Sequence, residues 1–74
     1  MKNKKMEIFL GQRLKELRLE KGMTQKEVAE KLGLNSVTYL VYEKGQREPP
    51  LSLLADMGAF FEVSIDYLLG LTEY

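Results

Sequence analysis

Apolar residues recur along this chain at helical spacing, and no segment shows the alternation that is typical of a strand. Leu10, Leu14 and Leu17 lie at i, i+4 and i+7, which predicts a first helix over about residues 7–21 that Gly22 ends. The pattern therefore predicts an all-α chain. Its apolar stripes favour five short helices, over about residues 7–21, 25–32, 36–44, 51–61 and 65–70.

Capping residues mark the ends of the second and third predicted helices. The TQKE segment predicts a capping box, in which the Thr24 hydroxyl accepts a hydrogen bond from the Glu27 N–H and the Glu27 side chain reaches back. Gly33 is the natural left-handed cap after the second helix, and Asn35 can cap the third. Because so few residues separate these two helices, we expect them to cross at a steep angle.

The fourth and fifth helices are delimited by prolines and a serine. The paired prolines at 49–50 exclude helix until about Leu51, and Ser64 can cap a short fifth helix that has Asp66 in its first turn. The apolar stripes predict that helix 2 buries Val28, Ala29 and Leu32, and that helix 4 buries Leu51, Leu54, Ala55, Gly58 and Phe61.

The third predicted helix has apolar residues on two opposite sides. On a helical wheel, Tyr39 and Tyr42 face the body of the domain, and Thr38 and Glu43 lie at the borders of that face. The turn at Gly33 folds helix 2 back over the tyrosine side. The face left outside comprises Ser36, Val37, Leu40, Val41 and Lys44. An exposed apolar face of this kind is either a contact surface or a liability.

Composition narrows the function classes. The 74 residues predict one domain over 1–74, with a core over about 7–70 and a flexible basic N-terminus over 1–6. The chain has no cysteine and no histidine, which excludes a disulfide, a thiolate metal site and a histidine general base. It also has no glycine-rich phosphate loop. The sequence therefore argues against an enzyme, a bound metal and a cofactor.

No targeting or membrane signal stands out in the sequence. No segment approaches the ~20 apolar residues of a membrane span. The apolar run near the N-terminus is short and is interrupted by Glu7, which argues against a signal peptide. We therefore expect a cytoplasmic protein without a membrane partner.

A net charge of zero conceals a segregation of charge along the chain. Residues 1–47 contain eleven basic and six acidic residues, a net charge of +5. Residues 48–74 contain five acidic residues and no basic one, a net charge of −5. This layout favours a protein with one side that faces an anion. An ordinary solvated surface, segregated by chance, is the alternative.

Four motifs follow one another in a fixed order: RLKELR, GMTQKEVAEKLGL, YEKGQREP and DYLLG. In this order and spacing they resemble the Cro/repressor-type (XRE-like) helix-turn-helix family of bacterial and phage transcription regulators, over about residues 10–70. The resemblance implies a compact five-helix, lambda-repressor-like DNA-binding domain. Helices 2 and 3 would form the helix-turn-helix, with helix 3 in the DNA major groove.

The resemblance also assigns roles to single residues. Gln25 matches a residue that holds a DNA phosphate, and Lys44 and Arg47 match backbone-contacting positions, although loop solubility also accounts for these two cations. Arg18 and Glu43 resemble a family ion pair that ties helix 1 to the end of helix 3 without touching a base. Ser36, Val37 and Val41 match positions that touch base edges in related repressors, and Leu40 lies on the same outward face and is included in the expected DNA-binding set.

Several positions depart from the family pattern. Polar residues are usual where this chain has Val37, Leu40 and Val41. Direct readout normally uses bidentate Arg, Gln or Asn, and none stands on this face. The Ser36 hydroxyl and the valine methyl groups remain, and they predict modest specificity biased towards A·T pairs. Pro50 replaces a common capping serine and Glu62 a common glycine, which puts two loop geometries in question.

Two functions of different classes remain open at this point. The first is a DNA-binding transcription regulator, a repressor that binds a palindromic operator in double-stranded DNA as a homodimer. The second is a protein-interaction module, antitoxin-like or anti-repressor, that uses the apolar outer face of helix 3 to bind a protein partner. The expected dimerisation patch comprises Leu53, Met57, Phe60, Leu71 and Tyr74.

Overall fold

Five α-helices form the fold, and residues 4–73, which the computed structural model describes, contain no strand. The helices are α1 (Lys4–Glu20), α2 (Gln25–Lys31), α3 (Ser36–Glu43), α4 (Leu51–Phe61) and α5 (Ile65–Leu68). The predicted all-α, five-helix architecture is therefore confirmed.

The first helix begins earlier than the sequence pattern indicated. Residues 4–6, predicted to be flexible, are helical, because lysine and methionine are good helix formers and Met6 is half-buried. The remainder of the predicted flexible segment, residues 1–3, lies outside the described residues.

The predicted caps of the short helices are confirmed. The Glu27 N–H donates to the Thr24 hydroxyl at 3.1 Å, and the Thr24 N–H donates to the Glu27 carboxylate at 2.8 Å. Asn35 caps α3 by accepting the Thr38 N–H at 2.8 Å. Ser64 caps α5 in the same way. Gly33 has a φ of +73°, so the turn between α2 and α3 uses the left-handed conformation that glycine adopts without strain.

A single apolar core joins all five helices. Tyr39 from α3 is completely buried at its centre, and Leu32, which was predicted to be buried, is only half-buried beside it. The buried apolar residues are Leu10, Leu14, Leu17, Val28, Ala29, Tyr39, Tyr42, Leu54, Met57, Phe61 and Leu68.

The buried stripe of α4 differs from the predicted one at two positions. Leu51 is 75% exposed and Ala55 is also exposed, whereas Met57 is completely buried. The observed stripe runs through 54, 57, 58 and 61, which also fits helical spacing. Because α4 is apolar on nearly all sides, its sequence does not distinguish one stripe from the other.

The predicted dimerisation patch is consequently wrong in its centre. Met57 cannot contact a partner, since its side chain fills the core. Leu53 and Phe60 are half-buried and pack against that core. Leu71 is 61% exposed, and Tyr74 lies outside the described residues. Among the described residues of the predicted patch, only Leu71 is largely exposed.

The turn between α4 and α5 contains a strained residue. Glu62 has a φ of +58°, and it is the one non-glycine residue with positive φ within residues 4–73. The Val63 N–H donates to the Gly58 carbonyl at 2.9 Å, which closes the end of α4 around this conformation. Pro50, at the other end of α4, supplies no side-chain hydrogen bond to the helix.

We expect Glu62→Gly to raise the free energy of unfolding by about 1 kcal/mol, because a residue with a Cβ is strained in the left-handed conformation. Urea denaturation of the two proteins measures the difference. Glu62→Ala is the matched control, since it removes the same carboxylate but keeps the Cβ and should change the stability little. Equal effects of the two substitutions would show that the side chain, not the backbone, determines the result.

Candidate nucleic-acid interface

Helix α3 is fixed in the domain by its two tyrosines. Tyr39 is completely buried and Tyr42 is 5% exposed, as the helical wheel predicted. The helix packs against both α1 and α2, so its position relative to the domain is determined from two sides. The opposite side of α3 is therefore presented outward in one defined orientation.

The outward face of α3 is less apolar than the sequence suggested. Val37 is 72% exposed, and Ser36 and Lys44 are also exposed. Leu40 and Val41, predicted to be outside, are half-buried. Leu40 lies at the flank of the helix, about 100° from the inward Tyr39. The first turn of α3 thus carries the most accessible side chains.

The segment after α3 folds back on the helix and leaves two cations at its end. Gly45 has a φ of +69°, and the Gln46 N–H donates to the Val41 carbonyl at 3.1 Å. Lys44 and Arg47 are both exposed on this turn. This end of α3 can therefore attract an anion such as a phosphate.

A predicted ion pair joins α1 to the end of α3. The Arg18 Nε donates to the Glu43 carboxylate at 2.7 Å, and a second guanidinium nitrogen donates to it at 3.3 Å. The remaining guanidinium nitrogen donates to the Met23 carbonyl at 3.0 Å. The two side chains are 10% and 3% exposed, so the pair lies in the interior rather than on the surface.

Gln25 completes this network in a way that the sequence did not predict. Its side-chain amide nitrogen donates to the Glu43 carboxylate at 3.1 Å. The start of α2 and the end of α3 are thereby joined through one carboxylate. Gln25 was predicted to hold a phosphate. It is half-buried here, and its amide is held in place by a protein partner.

The network fixes the charge states of its members. Burial opposes ionisation of Glu43, but the hydrogen bonds from Arg18 and Gln25 outweigh it and hold its pKa below the ordinary value. The hydrogen bond to Glu43 raises the pKa of Arg18. Burial, followed by the neighbouring Glu43, raises the pKa of the Tyr39 hydroxyl. The site therefore contains a stable ion pair beside a neutral phenol.

Close packing of α1 against α3 depends on Gly11, which sequence reasoning missed. A Cβ added at Gly11 would lie 2.4 Å from the Glu43 carbonyl oxygen and 2.9 Å from the Tyr42 carbonyl oxygen. Only a residue without a side chain allows this approach. The sequence offered no local signal for it, because Gly11 stands in the middle of a helix and contacts residues far away in the chain.

Within residues 4–73, no group of three or more acidic, histidine or cysteine side chains is arranged to hold a metal ion. The helices in this part of the chain are also too short or too polar to cross a membrane. The features that remain are the outward face of α3, the cations after it and the network behind it.

Comparison with known proteins decides the family. Residues 14–68, which include the whole α2–turn–α3 unit, match the helix-turn-helix family model. The chain belongs to the helix-turn-helix family. The resemblance that the four motifs indicated is thereby confirmed.

Several curated helix-turn-helix proteins are similar to this chain. The HTH-type transcriptional regulator ImmR of Bacillus subtilis is 45% identical over 64 residues, which cover 86% of this chain and 50% of ImmR. The uncharacterized HTH-type transcriptional regulator YobD of the same species is 40% identical over 62 residues, covering 84% of this chain and 55% of YobD. The cryptic phage CTXphi transcriptional repressor RstR of Vibrio cholerae is 36% identical over 65 residues, covering 88% of this chain and 59% of RstR. This helix-turn-helix chain spans about half the length of the curated relatives that it matches.

Proposed function

We propose that this helix-turn-helix protein is a sequence-specific, DNA-binding transcription regulator that represses from a palindromic operator as a homodimer in the cytoplasm. One observation carries the proposal: α3 is locked on its inner side, while its first turn is exposed, with Val37 72% accessible. The first residues of a recognition helix are those that meet base edges in this motif. The names of ImmR and RstR, a transcriptional regulator and a transcriptional repressor, agree with it.

The solvent exposure of the side chains on the outward face of α3 suggests a different role for each of them. Ser36 and Val37 are the most accessible on the first turn and are proposed to contact base edges. Leu40 and Val41 are half-buried, and we expect them to face the DNA major groove from a position further back than Ser36 and Val37. The Val37 side chain can neither donate nor accept a hydrogen bond, so we expect it to pack on thymine methyl groups and to favour A·T pairs.

Three polar side chains are proposed to hold the DNA backbone. Lys44 and Arg47 are exposed at the end of α3 and would neutralise phosphates irrespective of sequence. The Gln25 side-chain amide donates one hydrogen bond to Glu43. Its second N–H can donate a hydrogen bond to a phosphate oxygen. Glu43 would thus orient Gln25 without touching DNA.

We expect Lys44→Ala to weaken binding to every duplex to the same extent and to reduce the slope of log K against log salt by about one unit. Lys44 is exposed and has no assigned role in the core. The measurement is a set of fluorescence anisotropy titrations of a duplex at several salt concentrations. The matched control is Lys15→Ala, which removes an exposed cation from α1 and should leave the slope unchanged.

A protein-interaction module is the second candidate, and the exposed Val37 favours it as well. In that case Lys44→Ala would leave partner binding nearly unchanged, and no salt-dependent binding to duplex DNA would be observed. A salt slope near zero for the unmodified protein would therefore reject the DNA-binding proposal and favour this alternative.

A further inference from the structure

The Glu43 carboxylate lies next to the position proposed for a DNA phosphate. The Gln25 amide nitrogen donates one hydrogen bond to Glu43 at 3.1 Å, and its second N–H is the donor proposed for the phosphate. The two N–H bonds of a primary amide lie in one plane at about 120°, so the two oxygen atoms that accept them are about 5 Å apart. Bound DNA would therefore place a second negative charge close to Glu43.

The negative charge of Glu43 is located inside the protein rather than in water. The carboxylate side chain is 3% exposed, and its pKa lies below the ordinary value, so it is ionised at neutral pH. Two like charges about 5 Å apart repel each other more strongly where water is excluded than in bulk solvent. Without compensation, this carboxylate would oppose the contact between Gln25 and a phosphate.

Arg18 supplies the compensating positive charge. Its Nε donates to the Glu43 carboxylate at 2.7 Å, and a second guanidinium nitrogen donates to it at 3.3 Å. The third nitrogen donates to the Met23 carbonyl at 3.0 Å, which fixes the guanidinium beside the carboxylate. The pair as a whole is neutral, so a phosphate can approach Gln25 without net repulsion from the carboxylate.

We propose that Arg18 is a positioning residue for DNA binding, which neutralises Glu43 so that a backbone phosphate can approach Gln25. This role rests on the proposed function, because it requires the DNA backbone to contact Gln25. An ion pair that only joins α1 to α3 would weaken DNA binding when either member is replaced. The proposed role instead makes the replacements of Arg18 and Glu43 act in opposite directions.

Fluorescence anisotropy titrations of a duplex with Glu43→Gln test the direction of the effect. The glutamine keeps an oxygen that can accept from Gln25 but removes the negative charge, so Arg18 remains as an uncompensated cation near the phosphate. We expect Glu43→Gln to bind about tenfold more tightly than the unmodified protein at low salt, and the ratio should shrink as the salt concentration rises. Partial unfolding would only weaken binding, so a gain in affinity cannot result from lost structure.

Asp56→Asn is the matched control for net charge. Asp56 is exposed on α4, which carries none of the proposed DNA contacts, and its replacement removes one negative charge just as Glu43→Gln does. Because exposed charges far from the DNA are screened by salt, we expect the affinity of Asp56→Asn to stay within about twofold of the unmodified value.

Replacements of Arg18 test the cation. Arg18→Met should weaken binding about tenfold after correction for the folded fraction, which circular dichroism measures. Arg18→Lys keeps the positive charge and should retain most of the affinity. The double variant Arg18→Met/Glu43→Gln leaves neither charge uncompensated, so it should fold and should bind DNA about as tightly as the unmodified protein.

Two results would overturn this role of Arg18. Weaker binding by both Glu43→Gln and the double variant, after the same correction, would leave the ion pair with a structural role only. An equal gain from Glu43→Gln and Asp56→Asn would show that net charge alone accounts for the effect. In both cases the unmodified protein still binds DNA in a salt-dependent manner, and the proposed function stands. An unmodified protein without salt-dependent DNA binding would instead reject the proposed function, and this role with it.

Discussion

Gly11→Ala is expected to lower the free energy of unfolding by about 3 kcal/mol, which is a large share of the margin of a domain of this size. The added Cβ would lie 2.4 Å from the Glu43 carbonyl oxygen, closer than such atoms approach in proteins. The atoms that it meets belong to the backbone of α3, so a rotamer change cannot relieve the contact. Either α1 and α3 separate or α3 shifts.

Urea denaturation of Gly11→Ala measures this effect. Gly33→Ala is the matched control: it introduces the same methyl group, with no atom within 4 Å, at a φ of +73°. Gly33→Ala should lower the free energy of unfolding by only about 1 kcal/mol, because it adds backbone strain and no steric contact. Comparable losses for the two variants would show that the contact between α1 and α3 is looser than described. Because Gly11→Ala displaces α3, it should also weaken DNA binding in the fraction that remains folded.

Arg18→Met should lower the free energy of unfolding by about 3–5 kcal/mol, since it leaves the Glu43 carboxylate buried without its cation. The carboxylate side chain is only 3% exposed, and hydration cannot replace the guanidinium. Glu43→Met should have a similar cost, because it leaves the Arg18 guanidinium unpaired. The double variant should lose much less than the sum of the single losses, because neither charge remains to be compensated. Additive losses would mean that the two side chains do not interact in solution.

The same ion pair makes stability depend on pH. Hydrogen bonds from Arg18 and Gln25, which prevail over burial, lower the pKa of Glu43 from its ordinary 4.5. A lowered pKa in the folded state contributes stability that is complete above the unfolded pKa and is lost as the pH falls through the folded pKa. The difference in unfolding free energy between the unmodified protein and Glu43→Gln should therefore shrink as the pH falls below about 4.5. A constant difference over this range would exclude Glu43 as the titrating group.

Features that depend on neighbouring residues were readable from the sequence. The capping box of Thr24 and Glu27, the caps at Asn35 and Ser64 and the left-handed Gly33 are local, and each is present as predicted. The inward orientation of Tyr39 and Tyr42 in α3 was also predicted, from the helical periodicity of that segment. The five helices could therefore be derived from segments of a few residues.

Features that depend on distant residues were not readable in this way. Helix α4 is apolar nearly all round, so the rest of the fold decided that Met57 is buried and Leu51 exposed. Gln25 and Glu43 are 18 residues apart, and their hydrogen bond follows only from how α2 meets the end of α3. The ion pair of Arg18 was predicted only because the family resemblance supplied it.

We propose that the exposed first turn of α3 reads DNA sequence. The experiment is a selection of bound duplexes from a random library, carried out with the unmodified protein and with Val37→Gln. The control is Leu19→Gln, which alters an exposed leucine on α1 and should return the unmodified motif. We predict that the unmodified protein enriches a twofold-symmetric, A·T-biased motif and that Val37→Gln changes the preferred base at one position in each half-site. No enriched motif, or an identical motif from the unmodified protein and Val37→Gln, would contradict the claim.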